Sequence, residues 1–201
     1  MATPFPKLRW IALLWLAVWI PLYWFYWGEE TFLQVCDLAL VLGCLGIVSG
    51  NALLISTQAM ATPVIGVVWG IDVAFRLLLG RHLLGGTEYM WDAHVPLWVR
   101  LLSLFHVLLP FLLIWALGRT GYDRRAWWIE AVIVAGLLVA SRFIAPERNL
   151  NFAFRDPLLH RSLGPAPVHV MIILLGQALL VYAPAHLALE RIFPPPKAAQ
   201  G

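Results

Sequence analysis

The sequence predicts an all-α fold, a polytopic transmembrane helical bundle of six helices or seven, in a single integral-membrane domain over residues 1–201. Three observations predict it. Of 201 residues, 61% are hydrophobic and only 12% are charged, with a mean hydropathy of +0.79. A soluble domain carries about 25% charge, so this chain offers water too little polar surface. The apolar runs each approach the ~20 residues a helix needs to cross a bilayer. Finally, turn-forming and basic segments separate six or seven such runs, which use up the length and leave no room for a soluble catalytic domain.

Lys7 and Arg9 precede the first run, Trp10–Trp27. No small-x-small cleavage site follows it, so it reads as a retained helix, not a signal peptide. Pro21 predicts a break or tilt, and Tyr23–Trp27 has the character of an interfacial aromatic belt. The second span covers about Phe32–Ser49. Ser49-Gly50-Asn51 then reads as a compact turn, making spans two and three antiparallel neighbours. The third span, Ala52–Leu79, carries Pro63 as a predicted kink. Near its end Asp72 and Arg76 stand four apart with the acid first, the order that favours an intrahelical ion pair.

Arg81–Pro96 is the first substantial loop and is placed to cap a pocket. Its His82, Glu88, Asp92 and His94 lack a regular ligand spacing, so no metal is expected, and nothing in the chain calls for a cofactor. The fourth span, about Leu97–Gly118, puts Ser103 and His106 on one face. A basic turn, Gly118–Arg125, leads to the fifth span, about Ala126–Ile144, with Arg142 in its last turn. Ala145–Pro167 is the least apolar stretch, and as an extended segment it sets the amides of Asn149 and Asn151 on one side. The last span, about Val168–Phe193, carries Gln177, Pro184 and His186, and residues 194–201 read as a disordered Pro-rich tail.

The net charge of +3 comes from 14 Lys and Arg spread over loop ends. That spread suits topology signals and phospholipid headgroups, and argues against nucleic acid as a partner. Lys7, Arg9, Arg119, Arg124, Arg125, Arg191 and Lys197 fall on one side of a six-helix count, with Glu29 and Glu30 on the other. Both termini are therefore expected in the cytoplasm, at the cytoplasmic membrane of a bacterium, although Arg148, Arg155 and Arg161 weigh the other way. Cys36 and Cys44 are about 12 Å apart along a helix axis, too far to bridge.

The chemistry centres on Cys36-Asp37. A carboxylate near the middle of a span costs ~2.5–3.5 kcal/mol on insertion scales, so Asp37 needs a partner, a wet cavity or a reaction. A catalytic thiol in turn needs a base within reach. His106 is the imidazole well inside a span, and Asp37 or Asp72 is placed to orient or balance it, as the third group of a triad does. Gln34, Trp69, Arg76, Ser103, Asn149 and Asn151 complete a candidate substrate-binding set. On spacing alone the ordinary roles stand beside these: a Cys that fills space, a His that bonds a neighbouring helix, a Ser that bonds its own backbone, and two loop-turn asparagines.

Leu33-Gln34-Val35-Cys36-Asp37-Leu38-Ala39 resembles the second-helix segment L-H-L-C-D-L-A of the YwaF-type membrane proteins and the vertebrate transmembrane acyltransferase related to them. Ser49–Leu54 followed by Trp69-Gly70, the Ser103–His106 stretch, Asn151-Phe152, and Leu163-Gly164-Pro165-Ala166-Pro167 are similar to further segments of that family, in the same order. The resemblance covers most of the chain. It implies a six- or seven-helix fold and acyl transfer from phospholipids through a Cys thioester, with Cys36 as nucleophile and His106 as base. Androgen-induced hydrolases, which act on lipid esters with Thr and His, are more distantly similar. Gln34 stands where the family has His, and Arg148-Asn149-Leu150-Asn151 replaces its G-T-N approach. A lipid acyltransferase or lipid-ester hydrolase is the first reading. A non-enzymatic lipid or small-molecule binder, and a transporter or accessory subunit of a membrane complex, are its rivals.

Overall fold

The computed structural model describes residues 4–144 and 146–196. Six helices follow in order: α1 Leu8–Trp27, α2 Val35–Ser49, α3 Ala52–Leu79, α4 Leu97–Thr120, α5 Ala126–Ser141 and α6 Ala166–Ile192. No strand occurs among the described residues. Helices α1, α3, α4 and α6 are long and apolar enough to cross a membrane, which fits an integral membrane protein. Lys197, the basic residue expected beside the last span, lies outside the described residues, as does most of the predicted tail.

Helix α3 is the centre of the bundle, packing on α2, α4, α5 and α6, while α1 lies against α2. Its first half is enclosed on every side, with Ile55–Thr62 buried without a gap. The core around it includes Trp19, Ile47, Met60, Leu113 and Leu138. The outside is hydrocarbon: Phe25, Leu78, Phe143 and Leu180 are each about four-fifths or more exposed. Buried polar residues such as Gln58, Glu130, Asp72 and His106 face inward. That inversion suits lipid, which solvates apolar side chains as well as a core does.

Local chemistry fixes the helix ends. Gly50, in the left-handed region at φ 67°, closes α2. Asn51 then opens α3 by accepting hydrogen bonds from the Leu53 and Leu54 N–H groups at 2.9 and 3.2 Å, the usual role of an Asn N-cap. The turn expected at Ser49–Asn51 is therefore present. Pro21 and Pro63 each lie inside a continuous helix, so the chain is not broken at Pro21.

Pro110 and Pro184 sit beside local departures from regular helix packing. Pro110 has no N–H to give the carbonyl of His106 four residues earlier. Gly66 of α3 packs against that same carbonyl, so closely that a Cβ at Gly66 would lie 2.2 Å from it. A π-helical stretch, Gln177–Tyr182, precedes Pro184 in α6. Widened turns of this kind accommodate the hydrogen bond a proline cannot make.

Alternation of six helices puts the segments at 28–34, 80–96 and 142–165 at one end. They meet there: Arg148 donates to Glu30 and to the Trp27 carbonyl, and the Trp27 and Tyr89 rings meet edge to face at 5.8 Å. The other end is tied by Tyr122 to His186 at 2.8 Å, Arg124 to Glu190 at 2.7 Å, and Arg125 to Asp123 at 2.8 Å.

Two geometries differ from those the sequence predicts. The second helix starts at Val35 after a 3₁₀ turn, Glu29–Leu33, so Asp37 lies in its first turn and not at mid-span. At 15 residues, α2 is about 22 Å long against a ~30 Å hydrocarbon layer, which leaves Asp37 at the loop end of the bundle. Asn149 and Asn151 are not in an extended segment. Both have left-handed backbone, φ 47° and 53°, within tight turns.

Candidate functional site

A cavity of about 340 Å³ sits at the loop end, between α1, α2, α3, α4 and α6 and under the 142–165 segment. Its volume is within the ~300–1,000 Å³ of small-molecule sites. Gln34, Cys36, Asp37, Trp69, Asp72, His106, Asn149 and Asn151 all line it. Ser103 and Arg76 do not.

The start of α2 supplies one wall. The thiol of Cys36 donates to Gln34 Oε1 at 3.6 Å and reaches Asp37 Oδ1 at 3.9 Å. Thr31 donates its hydroxyl to Asp37 Oδ2 at 2.7 Å. This turn is held from above by Asn151, whose Oδ1 accepts from the Val35 N–H at 2.9 Å. Its Nδ2 donates to the Leu33 carbonyl at 2.7 Å and to Ser141 Oγ at 3.0 Å. Asn151 thereby satisfies one of the N–H groups that a helix start leaves without a partner. Asn149 is likewise committed, accepting from the Phe154 and Arg155 N–H groups and donating to the Arg155 carbonyl. Both amides build the loop that roofs the cavity.

The opposite wall is imidazole and indole. His106 stacks on Trp69, with centroids 5.0 Å apart and planes within 3°, and on Phe105 at 4.1 Å. Its Nδ1 lies 2.8 Å from the Ser103 carbonyl. A carbonyl only accepts, so Nδ1 carries the proton, and in the neutral ring Nε2 keeps the lone pair. Ser103 therefore helps His106 through its backbone, while its own hydroxyl is paired with Tyr23 at 2.7 Å. Cys36 and His106 also line a second, smaller void with Gly66 and Pro110, although no hydrogen bond joins thiol and imidazole.

Asp72 anchors the 80–96 loop. Its Oδ1 accepts from the Leu83, Leu84 and Gly85 N–H groups at 2.8, 2.7 and 3.1 Å. Its Oδ2 meets His82 Nδ1 at 2.9 Å and accepts from the Thr87 hydroxyl. The expected Asp72–Arg76 ion pair is not formed. Five donors from the loop satisfy the carboxylate. The Arg76 guanidinium turns instead to the Gly80 carbonyl and the Trp91 face. The loop also brings in Tyr89, which accepts from Trp69 Nε1 at 2.9 Å. Burial pushes the Tyr89 phenol up from its ordinary range, so it stays neutral.

Sequence reasoning misses Thr31, Tyr89 and Tyr182, and reads Tyr23 and Trp27 as interface residues only. Yet Trp19, Tyr23 and Trp27 recur every four residues, which puts them on one helical face. Trp19 is fully buried and stacks on Tyr23 at 4.0 Å, and both Tyr23 and Trp27 line the cavity. Gln177 also lines it, accepting from the Tyr182 hydroxyl at 3.1 Å, whereas His186 belongs to the other end. Comparison with known proteins adds no relative: no family model, no curated protein and no solved structure is matched by this chain.

Proposed function

We infer that this membrane protein transfers or hydrolyses the acyl group of a lipid ester, with Cys36 as nucleophile and His106 as base. The observation that carries this reading is the shared lining. A thiol and an imidazole with its Nε2 lone pair uncommitted border the same 340 Å³ cavity and the same smaller void. The resemblance of the Cys36 and His106 segments to the transmembrane acyltransferase group supports it from the sequence side. In the forward step, Nε2 takes the thiol proton and the sulfur attacks the ester carbonyl. The carbon–oxygen bond then breaks, and the alkoxide leaves as the alcohol with the proton from the imidazolium. Water or a second lipid hydroxyl next attacks the thioester and regenerates the thiol. Asn151 and Gln34 act as positioning residues for the α2 turn, and Asp37 faces the ligand.

Loop charge supports a cavity in the leaflet away from the cytoplasm, with both termini inside a bacterial cytoplasmic membrane. Arg148, one of the opposing charges, is neutralised by Glu30. The test is intact-mass analysis of the purified chain in phospholipid nanodiscs. An added acyl mass that neutral hydroxylamine removes, and that Cys36→Ala lacks, is expected. A retained lipid with no covalent adduct on the wild-type chain returns the protein to the non-enzymatic binders.

A further inference from the structure

Three charged side chains line the cavity, and two of them are already compensated. Asp72 is saturated by five donors, and Arg148 by Glu30 and the Trp27 carbonyl. Asp37 is not. It is 3% exposed, its Oδ2 has the Thr31 hydroxyl, and its Oδ1 has only a thiol 3.9 Å away. Among the described residues no Lys, Arg or His comes within ion-pair distance of it. A buried carboxylate without a counter-ion is costly, and here it faces an open cavity.

Around that cavity stand aromatic side chains. Tyr23 and Trp27 rings lie 4.5 Å apart, Trp27 and Tyr89 rings 5.8 Å apart, and all three line the cavity with Asp37. Aromatic faces attract cations. A divalent metal would need several oxygen or nitrogen ligands, which this wall does not present. The open acceptor on Oδ1 calls for a cation that carries N–H. We propose that the cavity holds a protonated alkylamine group, with Asp37 as its counter-ion and Tyr23, Trp27 and Tyr89 as its aromatic walls. The proposal rests on this cavity being the ligand site of the acyl-transfer reading, and is independent of the thiol step.

The test is thermal unfolding of the full chain in a non-ionic detergent, titrated with n-butylammonium chloride, tetramethylammonium chloride or 1-butanol at matched ionic strength. Butylammonium raises Tm saturably, tetramethylammonium does so more weakly, and butanol does not. Asp37→Asn weakens the butylammonium response by about tenfold or more, the loss expected for one hydrogen bond to a charged group. Tyr89→Leu, which spares the carboxylate, also weakens it. Native mass spectrometry from nanodiscs separates the sources: preferential retention of an aminoethyl-headgroup phospholipid over a glycerol-headgroup one assigns the amine to a lipid, and no preference assigns it to a free amine. Butanol acting as well as butylammonium, or an undiminished response in both variants, overturns the proposal and leaves Asp37 a structural partner of Thr31. An acyl adduct with no amine response removes this proposal alone. An amine response with no adduct removes the acyl-transfer reading alone.

Discussion

Replacing Gly66 with alanine tests whether the α3–α4 contact sets the position of His106. The added Cβ would stand 2.2 Å from the His106 carbonyl oxygen and 3.3 Å from Pro110 Cγ. Carbon–oxygen contacts begin near ~3.3 Å, so the helices must part by about 1.1 Å (3.3 − 2.2). The clash is with backbone, so no rotamer change relieves it. Overpacking of this kind costs ~1–3 kcal/mol, which lowers Tm by roughly 2–12 °C for a chain of this size. On the acyl-transfer proposal, displacing His106 by ~1 Å lowers the rate of acyl-adduct formation by about 10²-fold. Gly70→Ala is the internal control, one turn further along the same helix, where an added methyl group would have nothing within 4 Å. Alanine there gains up to ~1 kcal/mol of helix propensity. Thermal unfolding and the rate of acyl-adduct formation are measured for both. Equal Tm values for the two variants would refute the close-contact reasoning.

Asp72→Asn removes an acceptor from the loop at 80–96 and leaves a buried donor or acceptor without a partner, a loss of ~1–3 kcal/mol. Faster hydrogen exchange at Leu83–Gly85 is the expected sign, and unchanged exchange there counts against the anchoring role. Asn151→Gly keeps the left-handed backbone, which glycine adopts freely, but frees the Val35 N–H and the Leu33 carbonyl. Alkylation of Cys36 by a lipid-permeable maleimide is expected to quicken, and an unchanged rate would show that the α2 turn holds without the clamp. At the opposite end, Arg125 beside Asp123 holds that carboxyl below its ordinary value. A depressed carboxyl contributes stability that is full above its unfolded pKa, near ~3.9, and is lost as pH falls through the folded value. The Tm difference between wild type and Asp123→Asn should therefore be constant from pH 7 to about 4.5 and shrink below that. A difference that grows on acidification contradicts the sign.

The helices are legible in the sequence because lipid imposes a simple rule on them: long apolar runs, separated by turn residues. Ala52–Leu79 coincides with the third helix for that reason, with Asn51 and Gly80 at its ends. The corner at Gly50 follows from local chemistry alone. Cys36 and His106 stand out as polar groups in hydrocarbon, and they do line one cavity. Partners brought together by the fold leave no such trace. Asn151 reaches back to Val35 across 116 positions, and Asp72 prefers three loop amides to the arginine one turn away. Helical spacing predicts the nearest cation, but backbone N–H groups converging in a loop form a better-matched set of donors. The aromatic face of α1 is the intermediate case. Its four-residue recurrence is visible in the sequence, but aromatic residues near the end of a span serve equally well as interface anchors.

The alternation of six helices has a directional consequence. Leu8 and Ile192, the first and last residues of the six helices, lie at the end of the bundle opposite the cavity. Pro194, just past α6, stays at that end, where its carbonyl accepts from the Tyr122 N–H at 2.8 Å. With the cavity at one end of the bundle, the acyl-transfer proposal predicts that vesicles carrying the protein in a single orientation respond to ligand added on one side of the membrane only.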